Sequence, residues 1–295
     1  MADLALAVDI GGTKMAAGLV ALDGSLLERA ARPTPATSSP AEAEVLWDHL
    51  AGLVEGVAGL VGAGDRLVVC GTGCGGPMGP GGDEVSPLNI AGWRSFPLRS
   101  RLAALTGLPT FVDNDAKALA LGEGWLGAAS GCADFIAMVV STGVGGGIVL
   151  DGKLLNGRLG NAGHIGHIVV VPDGRACVCG SRGCLEAEAS GTGLAALTGQ
   201  PARLAAPEWV ERTGMLVGRA ISSVAVLLDL RLAVVSGSVA LGFGESFFRA
   251  AQSEMDQLCR IEYAQGARVV PGGLDDRGPL VGAARVGLCG AGVVA

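Results

Sequence analysis

Residues 4–27 read LALAVDIGGTKMAAGLVALDGSLL, and residues 135–155 read FIAMVVSTGVGGGIVLDGKLL. The two stretches share one plan. An apolar run is followed by a glycine-rich turn, a second apolar run, an Asp-Gly pair and a third short run. Asp-Gly between apolar runs is a strong hairpin signal. In the first copy Pro33 closes the third run. Three antiparallel strands are therefore expected at each place, and the chain reads as an internal duplication.

Working outward, residues 40–62 predict a helix with Pro at its first turn. RLVVC, residues 66–70, predicts a short buried strand, and a Gly/Pro-rich loop follows from Gly71 to Pro87. PLRSRLAALTG predicts a helix closed by Gly107. PTFV predicts a strand, DNDAKALALGEGWLGA a strand-to-helix junction, and GPLVGAARVGLCGAG a C-terminal helix after Pro279. Short apolar strands alternating with helices argue an α/β class. The halves divide near residues 115–132. The expected lobes are 1–116 and 117–295, with the C-terminal helix able to pack back on the first.

Composition narrows the function. The chain has 295 residues, 49% of them apolar and 17% charged, which excludes disorder as the main state. The net charge of −7 argues against a basic nucleic-acid surface. The most apolar stretch, AISSVAVLLDLRLAVVSGSVAL, is interrupted by Asp229 and Arg231. The apolar tail from Val281 contains Arg285. Neither reaches the ~20 uninterrupted residues of a membrane span. The opening Met-Ala-Asp-Leu lacks the basic region of a signal peptide. A cytoplasmic location is expected, with no membrane and no nucleic acid as partner. The eight cysteines are then expected to be reduced thiols or metal ligands.

Three groups of residues carry chemistry. The two glycine turns match neither the P-loop nor the strand-to-helix dinucleotide fingerprint. Each offers free backbone N–H groups and a Thr hydroxyl, which suits an anion. Two such turns facing each other across a cleft could grip one polyphosphate, with Asp9 near Mg²⁺. Plain hairpin connection is the competing explanation, and the sequence leaves both open. The second group is His167 followed at spacing by Cys177, Cys179 and Cys184. One imidazole and three thiolates complete a closed, tetrahedral, structural zinc set; incidental thiols are the alternative. The third is Asp113, Asn114 and Asp115 at a strand end opening a helix. A carboxylate there suits a general base in phosphoryl transfer. Asp and Asn are equally preferred as plain helix N-caps.

VDIGGTK at 8–14, STGVGGGIV at 141–149, the zinc pattern and the Asn-Asp-Ala of residues 114–116 together resemble the ROK family. This is a family of sugar kinases and sugar-responsive repressors in the actin-like superfamily, and the likeness covers nearly the whole chain. It implies a duplicated actin-like (RNase H-like) α/β fold, two lobes with a central cleft, and as partners a small-molecule sugar, ATP and a second copy in a homodimer. Carried over by motif, Asp9, Gly11, Gly12, Thr13, Lys14, Thr142, Gly143, Gly145 and Gly146 hold the nucleotide phosphates. Asp115 is the base that takes the proton of the attacking sugar hydroxyl. Gly75, Gly76, Asn89, Asn114, His164, His167 and Glu186 surround the sugar. ATP, Mg²⁺ and a structural Zn²⁺ on His167, Cys177, Cys179 and Cys184 are the implied cofactors. VVSGSVAL, residues 234–241, resembles the segment under the adenosine, with Ser236 and Ser238 replacing glycines usual in the family.

Three functions compete on this reading. The first is an ATP-dependent kinase acting on the 6-hydroxyl of a hexose or amino-hexose. The second is a regulator of the same family, and the third a non-catalytic, zinc-stapled sugar-binding protein. A regulator needs a DNA-binding domain, and no room for one is expected ahead of a phosphate motif that starts at residue 8. A binding module would not need Asp9, Asp115 and both turns together. The kinase is therefore expected. His164-Ile165-Gly166-His167 resembles the bacterial N-acetylmannosamine kinases, where glucose kinases of the family mostly have Glu at the first position. SPLNIAGWRSFPL resembles the glucose kinases.

Overall fold

The computed structural model describes residues 2–293, which form two compact units. The first runs to Leu126, takes in Asn156–Ala162 and resumes at Asp276; the second comprises Gly127–Leu155 and Gly163–Asp275. This division differs from the expected cut between residues 116 and 117, which would split a helix.

The first unit holds β1 (Asp3–Ile10), β2 (Lys14–Ala21), β3 (Leu26–Pro33), α1 (Ala43–Ala58), β4 (Arg66–Cys74), α2 (Leu98–Thr106), β5 (Thr110–Asn114) and α3 (Asp115–Leu126). The second holds β6 (Phe135–Val140), β7 (Val144–Leu150), β8 (Lys153–Leu154), α4 (Leu185–Ala189), α5 (Gly191–Thr198), α6 (Pro207–Leu228), β9 (Leu232–Ser236), α7 (Ser238–Leu258) and β10 (Arg268–Pro271). The last helix, α8 (Gly278–Gly290), belongs to the first unit.

Each unit is built on a five-stranded sheet, ordered β3-β2-β1-β4-β5 in one and β8-β7-β6-β9-β10 in the other. In both, an antiparallel three-stranded meander is extended by two parallel strands. The two orders are the same when strands are counted within each unit. The duplication visible in residues 4–27 and 135–155 is thus a duplication of topology.

The alternation in LALAVDI decides how the first sheet is covered. Leu4, Leu6, Val8 and Ile10 face the core that includes Leu46, Leu50, Leu53 and Val54 of α1. Ala5 and Ala7 face the opposite way, against Leu280, Ala283, Ala284 and Leu288 of α8. A period of two on a strand produces this division. The small-residue face lets α8 lie almost on the backbone of β4. A Cβ added to Gly71 would stand 2.0 Å from the Ala283 carbonyl oxygen, and one on Gly282 2.2 Å from that of Ala118 in α3. Close helix packing in the second unit uses the same device. A Cβ on Gly214 or Gly218 of α6 would meet the backbone of α7 at 2.4 or 2.3 Å.

Some boundaries differ from expectation, for physical reasons. Residues 40–42 form a 3-10 turn with a Ser39/Glu42 capping box, so α1 starts at Ala43. β4 continues through Gly-Thr-Gly to Cys74, where a loop from Gly71 is expected, because α8 requires small residues there. β7 starts at Val144, so Gly145 and Gly146 lie in the strand and only Ser141–Gly143 form the turn. Among the described residues no helix is long and apolar enough to cross a membrane.

Gly71→Ala is expected to destabilise the protein by about 3 kcal/mol, the upper end of overpacking penalties, because the obstacle is backbone. Gly56→Ala, in α1 with open space around it, is expected to stabilise by about 0.5–1 kcal/mol. Chemical denaturation of both variants checks the contrast.

Candidate active site

In the first unit, strand register assembles the candidate residues. β1 and β4 pair in parallel with Asp9 opposite Gly73, and β4 and β5 with Gly73 opposite Asp113 and Cys74 opposite Asn114. Asp115 follows as the first residue of α3. The two acids therefore sit at the carboxyl ends of the two parallel strands that flank β4, where α/β sheets bind ligands. Gly73 separates them: a Cβ there would stand 3.4 Å from Asp115 Cα and 3.7 Å from Asp9 Oδ1.

Burial pushes the Asp9 carboxyl up to about 7; the Asp115 carboxylate adds to the rise and the Lys14 ammonium opposes it. Burial also lifts the Cys74 thiol well above its ordinary range, helped by Asp115 and Asp9. The site thus concentrates negative charge in a poorly solvated place, which suits a cation and a proton acceptor.

The helix cap and the candidate base are separate residues. Asn114, buried, accepts the Ala116 N–H at 3.0 Å on its amide oxygen, and Asp115 Oδ1 accepts the same N–H at 2.8 Å. Asp113 Oδ1 accepts the Asn114 N–H at 2.7 Å and pairs with Lys117 Nζ at 2.7 Å. Lys117 is fully buried; its ammonium also donates to Asn156 Oδ1 at 2.7 Å and to the Gly160 carbonyl at 3.0 Å. All three of its hydrogens are used. Asn161, in the same short segment, bonds Met78 by both its amide oxygen and its amide nitrogen. Segment 156–162 thereby joins the start of α3 to the glycine loop of Gly75 and Gly76.

The first glycine turn is closed by a bond from the Gly11 N–H to the Lys14 carbonyl and is held from outside by Thr34. The Thr34 hydroxyl donates to the Gly11 carbonyl at 2.6 Å and its N–H to that of Thr13 at 3.0 Å. Gly12 has to be glycine, because a Cβ would stand 2.8 Å from that of Asn89. The turn and Asn89 are thus neighbours. Arg94 holds the Asn89 loop by donating to the Pro87 and Ile90 carbonyls. Leu88 N–H donates to the Gly76 carbonyl, which brings Gly75 and Gly76 to the same loop. Thr34 and Arg94 escape a motif-based reading because their partners are backbone carbonyls. Only the presence of a charged residue in the apolar helix DAKALALGEG singles out Lys117.

The second unit collects the remainder. Ligand atoms of His167, Cys177, Cys179 and Cys184 all lie within 4.8 Å of one another. Cys179 Sγ is 3.7 Å from Cys184 Sγ, and Cys177 Sγ is 3.7 Å from His167 Nδ1. Zn–S bonds of about 2.3 Å in a tetrahedron place two sulfurs about 3.8 Å apart, so the four residues fit a closed site. The loop is shaped for it: Gly180 and Gly183 have φ of +92° and +69°, and a Cβ on Gly183 would stand 1.7 Å from the Val171 carbonyl oxygen. Buried Glu188 anchors the loop, accepting the Arg175 N–H at 2.8 Å and pairing with Arg212 at 2.6 Å.

His164 precedes the 3-10 turn Ile165–His167, its ring centroid 6.1 Å from that of His167. Glu186 Oε2 accepts the Val144 N–H at 3.0 Å. Thr142 and Gly143 lie in the second glycine turn, and Ser141 Oγ is 2.9 Å from Ser238 Oγ at the start of α7. Gly145 and Gly146 pair with Val139 and Met138 instead of forming the turn. Gly146 is small for packing, since a Cβ would meet the Gly163 carbonyl oxygen at 3.1 Å.

The sequence profile of the ROK family matches residues 5–287. The N-acetylmannosamine kinase of Escherichia coli is 39% identical over 257 residues, which cover 81% of this chain and 84% of that one. The structure of a ROK glucokinase from Streptomyces griseus, in complex with glucose and AMPPNP, superimposes with a TM-score of 0.83 at 32% identity, covering 96% of this chain and 99% of that one. A ROK hexokinase from Thermus thermophilus gives a TM-score of 0.81 at 32% identity, covering 99% and 100%.

A carboxyl with a raised pKa in the folded chain binds its proton more tightly there than in the unfolded chain. Stability then falls as pH rises from about 4 to about 7. Asp9→Asn, measured without nucleotide or Mg²⁺, is therefore expected to raise Tm at pH 8 and leave it nearly unchanged at pH 5. Equal Tm values at pH 8 would mean that Asp9 ionises without penalty.

Proposed function

The chain belongs to the ROK family and is an ATP-dependent sugar kinase, and we propose that its substrate hydroxyl is the 6-hydroxyl of a 2-acylamino hexose of the N-acetylmannosamine type. The observation that carries this is the 39% identity to an N-acetylmannosamine kinase over four-fifths of the chain. His164, at a position where a carboxylate accompanies glucose in the family, supports it. A glucose reading has its own support in the 32% identity to a ROK glucokinase.

In the proposed mechanism Asp115 accepts the proton of the attacking hydroxyl, and Asn114 and Asn89 orient neighbouring hydroxyls. Gly75 and Gly76, and His164, His167 and Glu186, are the further sugar-contact residues in this reading. Gly11, Gly12, Thr13 and Lys14 in one turn, and Thr142 and Gly143 in the other, hold phosphates through N–H, hydroxyl and ammonium groups. Gly145 and Gly146 follow the second turn in β7, where Gly146 is closely packed. Phosphoryl transfer asks mainly for this positioning and for charge neutralisation. Mg²⁺ would be held by Asp9 and the nucleotide and would supply that neutralisation. Lys117 keeps Asp113 paired, so the charge that Asp115 senses is fixed. His167, Cys177, Cys179 and Cys184 would hold one zinc with no open position, which shapes the loop and leaves the chemistry to Asp115.

Initial rates of ADP release with glucose, mannose, N-acetylglucosamine, N-acetylmannosamine and glucosamine test the substrate. The largest kcat/KM is expected for N-acetylmannosamine; a larger value for glucose would decide for the second reading. On the best sugar, Asp115→Asn is expected to lower kcat by about 10²–10⁴ with little change in KM. Helix α3 keeps its Asn114 cap in that variant, so near-parental turnover would remove Asp115 from the role of base. Metal analysis is expected to find one zinc per chain. Cys179→Ser should lose it together with several degrees of Tm; a stable variant of unchanged Tm would argue against the metal.

A further inference from the structure

The second phosphate turn has little structure of its own. Ser141 N–H donates to the Gly143 carbonyl, and the rest of its support comes from outside. The Gly191 N–H donates to the Ser141 carbonyl at 2.7 Å. The N–H and hydroxyl of Thr192 donate to the Thr142 carbonyl at 3.2 and 2.9 Å. Ser238 adds the hydroxyl contact to Ser141. The residue that leaves the turn, Val144, is buried and held at both backbone groups. Its N–H donates to Glu186 Oε2 at 3.0 Å. Its carbonyl lies against Gly166, where a Cβ would stand 2.2 Å from the oxygen. Glu186 is two residues from Cys184, and Gly166 is next to His167.

We propose that Glu186 is a positioning residue for the nucleotide: by accepting the Val144 N–H on one carboxylate oxygen it sets the second phosphate turn, and it couples that turn to the sugar through the same carboxylate. This rests on the reading of Ser141–Gly143 as a phosphate turn. A carboxylate held at one oxygen by a buried backbone donor has a restricted rotation. A sugar hydroxyl that binds the group restricts it further, in the orientation the turn requires. Sugar therefore raises nucleotide affinity, and nucleotide raises sugar affinity by the same factor, as linkage demands. The bond asks only for an acceptor oxygen at this position. Glutamine supplies one and alanine does not, so the two substitutions separate the positioning task from the charge that the sugar meets.

The test is calorimetric titration of the full chain with AMPPNP and Mg²⁺, with and without the best sugar. In the absence of sugar, Glu186→Ala is expected to weaken AMPPNP binding about tenfold, the size of effect a hydrogen bond to a charged group can carry. Glu186→Gln should stay within about twofold of the parent while its sugar affinity falls. Sugar should raise AMPPNP affinity in the parent and have no effect in Glu186→Ala. Hydrogen exchange at the Val144 amide should be slow in the parent and in Glu186→Gln, and fast in Glu186→Ala. Parental AMPPNP affinity in Glu186→Ala, or equal losses in Ala and Gln, would overturn the inference while leaving the kinase reading intact. So would fast Val144 exchange in Glu186→Gln with nucleotide affinity unchanged. A parent that binds no AMPPNP would overturn both.

Discussion

The parallel register of β1, β4 and β5 is the constraint on which the rest of the first unit depends. It sets Asp9, Gly73 and Asp113 in one row and Cys74 and Asn114 in the next. A slip of one residue would turn every side chain of the shifted strand to the other face. Leu4, Leu6, Val8 and Ile10 would leave the α1 core, and Ala5 and Ala7 would no longer present a small face to α8. Hydrophobic packing on the two faces thus fixes the register, and the register fixes where the acids stand. The energetics of the core and the geometry of the site are one problem.

Much of this was legible in the sequence. The two Asp-Gly hairpins and the Leu/Ala alternation carry local information, and the strands they predict are present. The position of Asp115 at a strand-to-helix junction followed from Asn and Asp ahead of an apolar helix. The grouping of His167, Cys177, Cys179 and Cys184 was legible because the four lie within a short stretch of chain, and the fold brings their ligand atoms within 4.8 Å of one another. What a strand boundary does when a distant helix touches it was not legible. Gly71-Thr72-Gly73 reads as a loop until α8, some two hundred residues on, requires that β4 present no side chain there. Gly145 and Gly146 read as a turn for the same reason, because the crowding of Gly146 by Gly163 and Ile165 is a tertiary fact.

The residues that support the two phosphate turns show a second limit. Thr34 holds the first turn by donating to the Gly11 carbonyl, and Thr192 holds the second by donating to that of Thr142. The duplicated units solve the same problem with the same residue type, but the two threonines come from unrelated places: the segment after a third strand, and the start of α5. A glycine turn that must offer N–H groups to an anion leaves its carbonyls to be satisfied by the protein. That requirement predicts donors near each turn without saying which part of the chain supplies them. It is a rule about accounting for backbone groups, and only the fold names the residues.

The arrangement around Asp9 is unfavourable to the folded state taken alone. A carboxyl pushed up to about 7 by burial and by Asp115 is held where water would otherwise stabilise its charge. Asp113, in the same row two strands away, is paired with buried Lys117, which is itself saturated by Asn156 and Gly160. Three acids at adjoining strand ends would repel one another strongly. The lysine pairs with one of them, which leaves the opposition to Asp9 and Asp115. Lys117 is too deeply buried to meet a ligand, and its position follows from the electrostatics of its neighbours. The instability that remains is confined to these two strand ends, and the close glycine packing of α8 on β4 and α3 holds them in place against it.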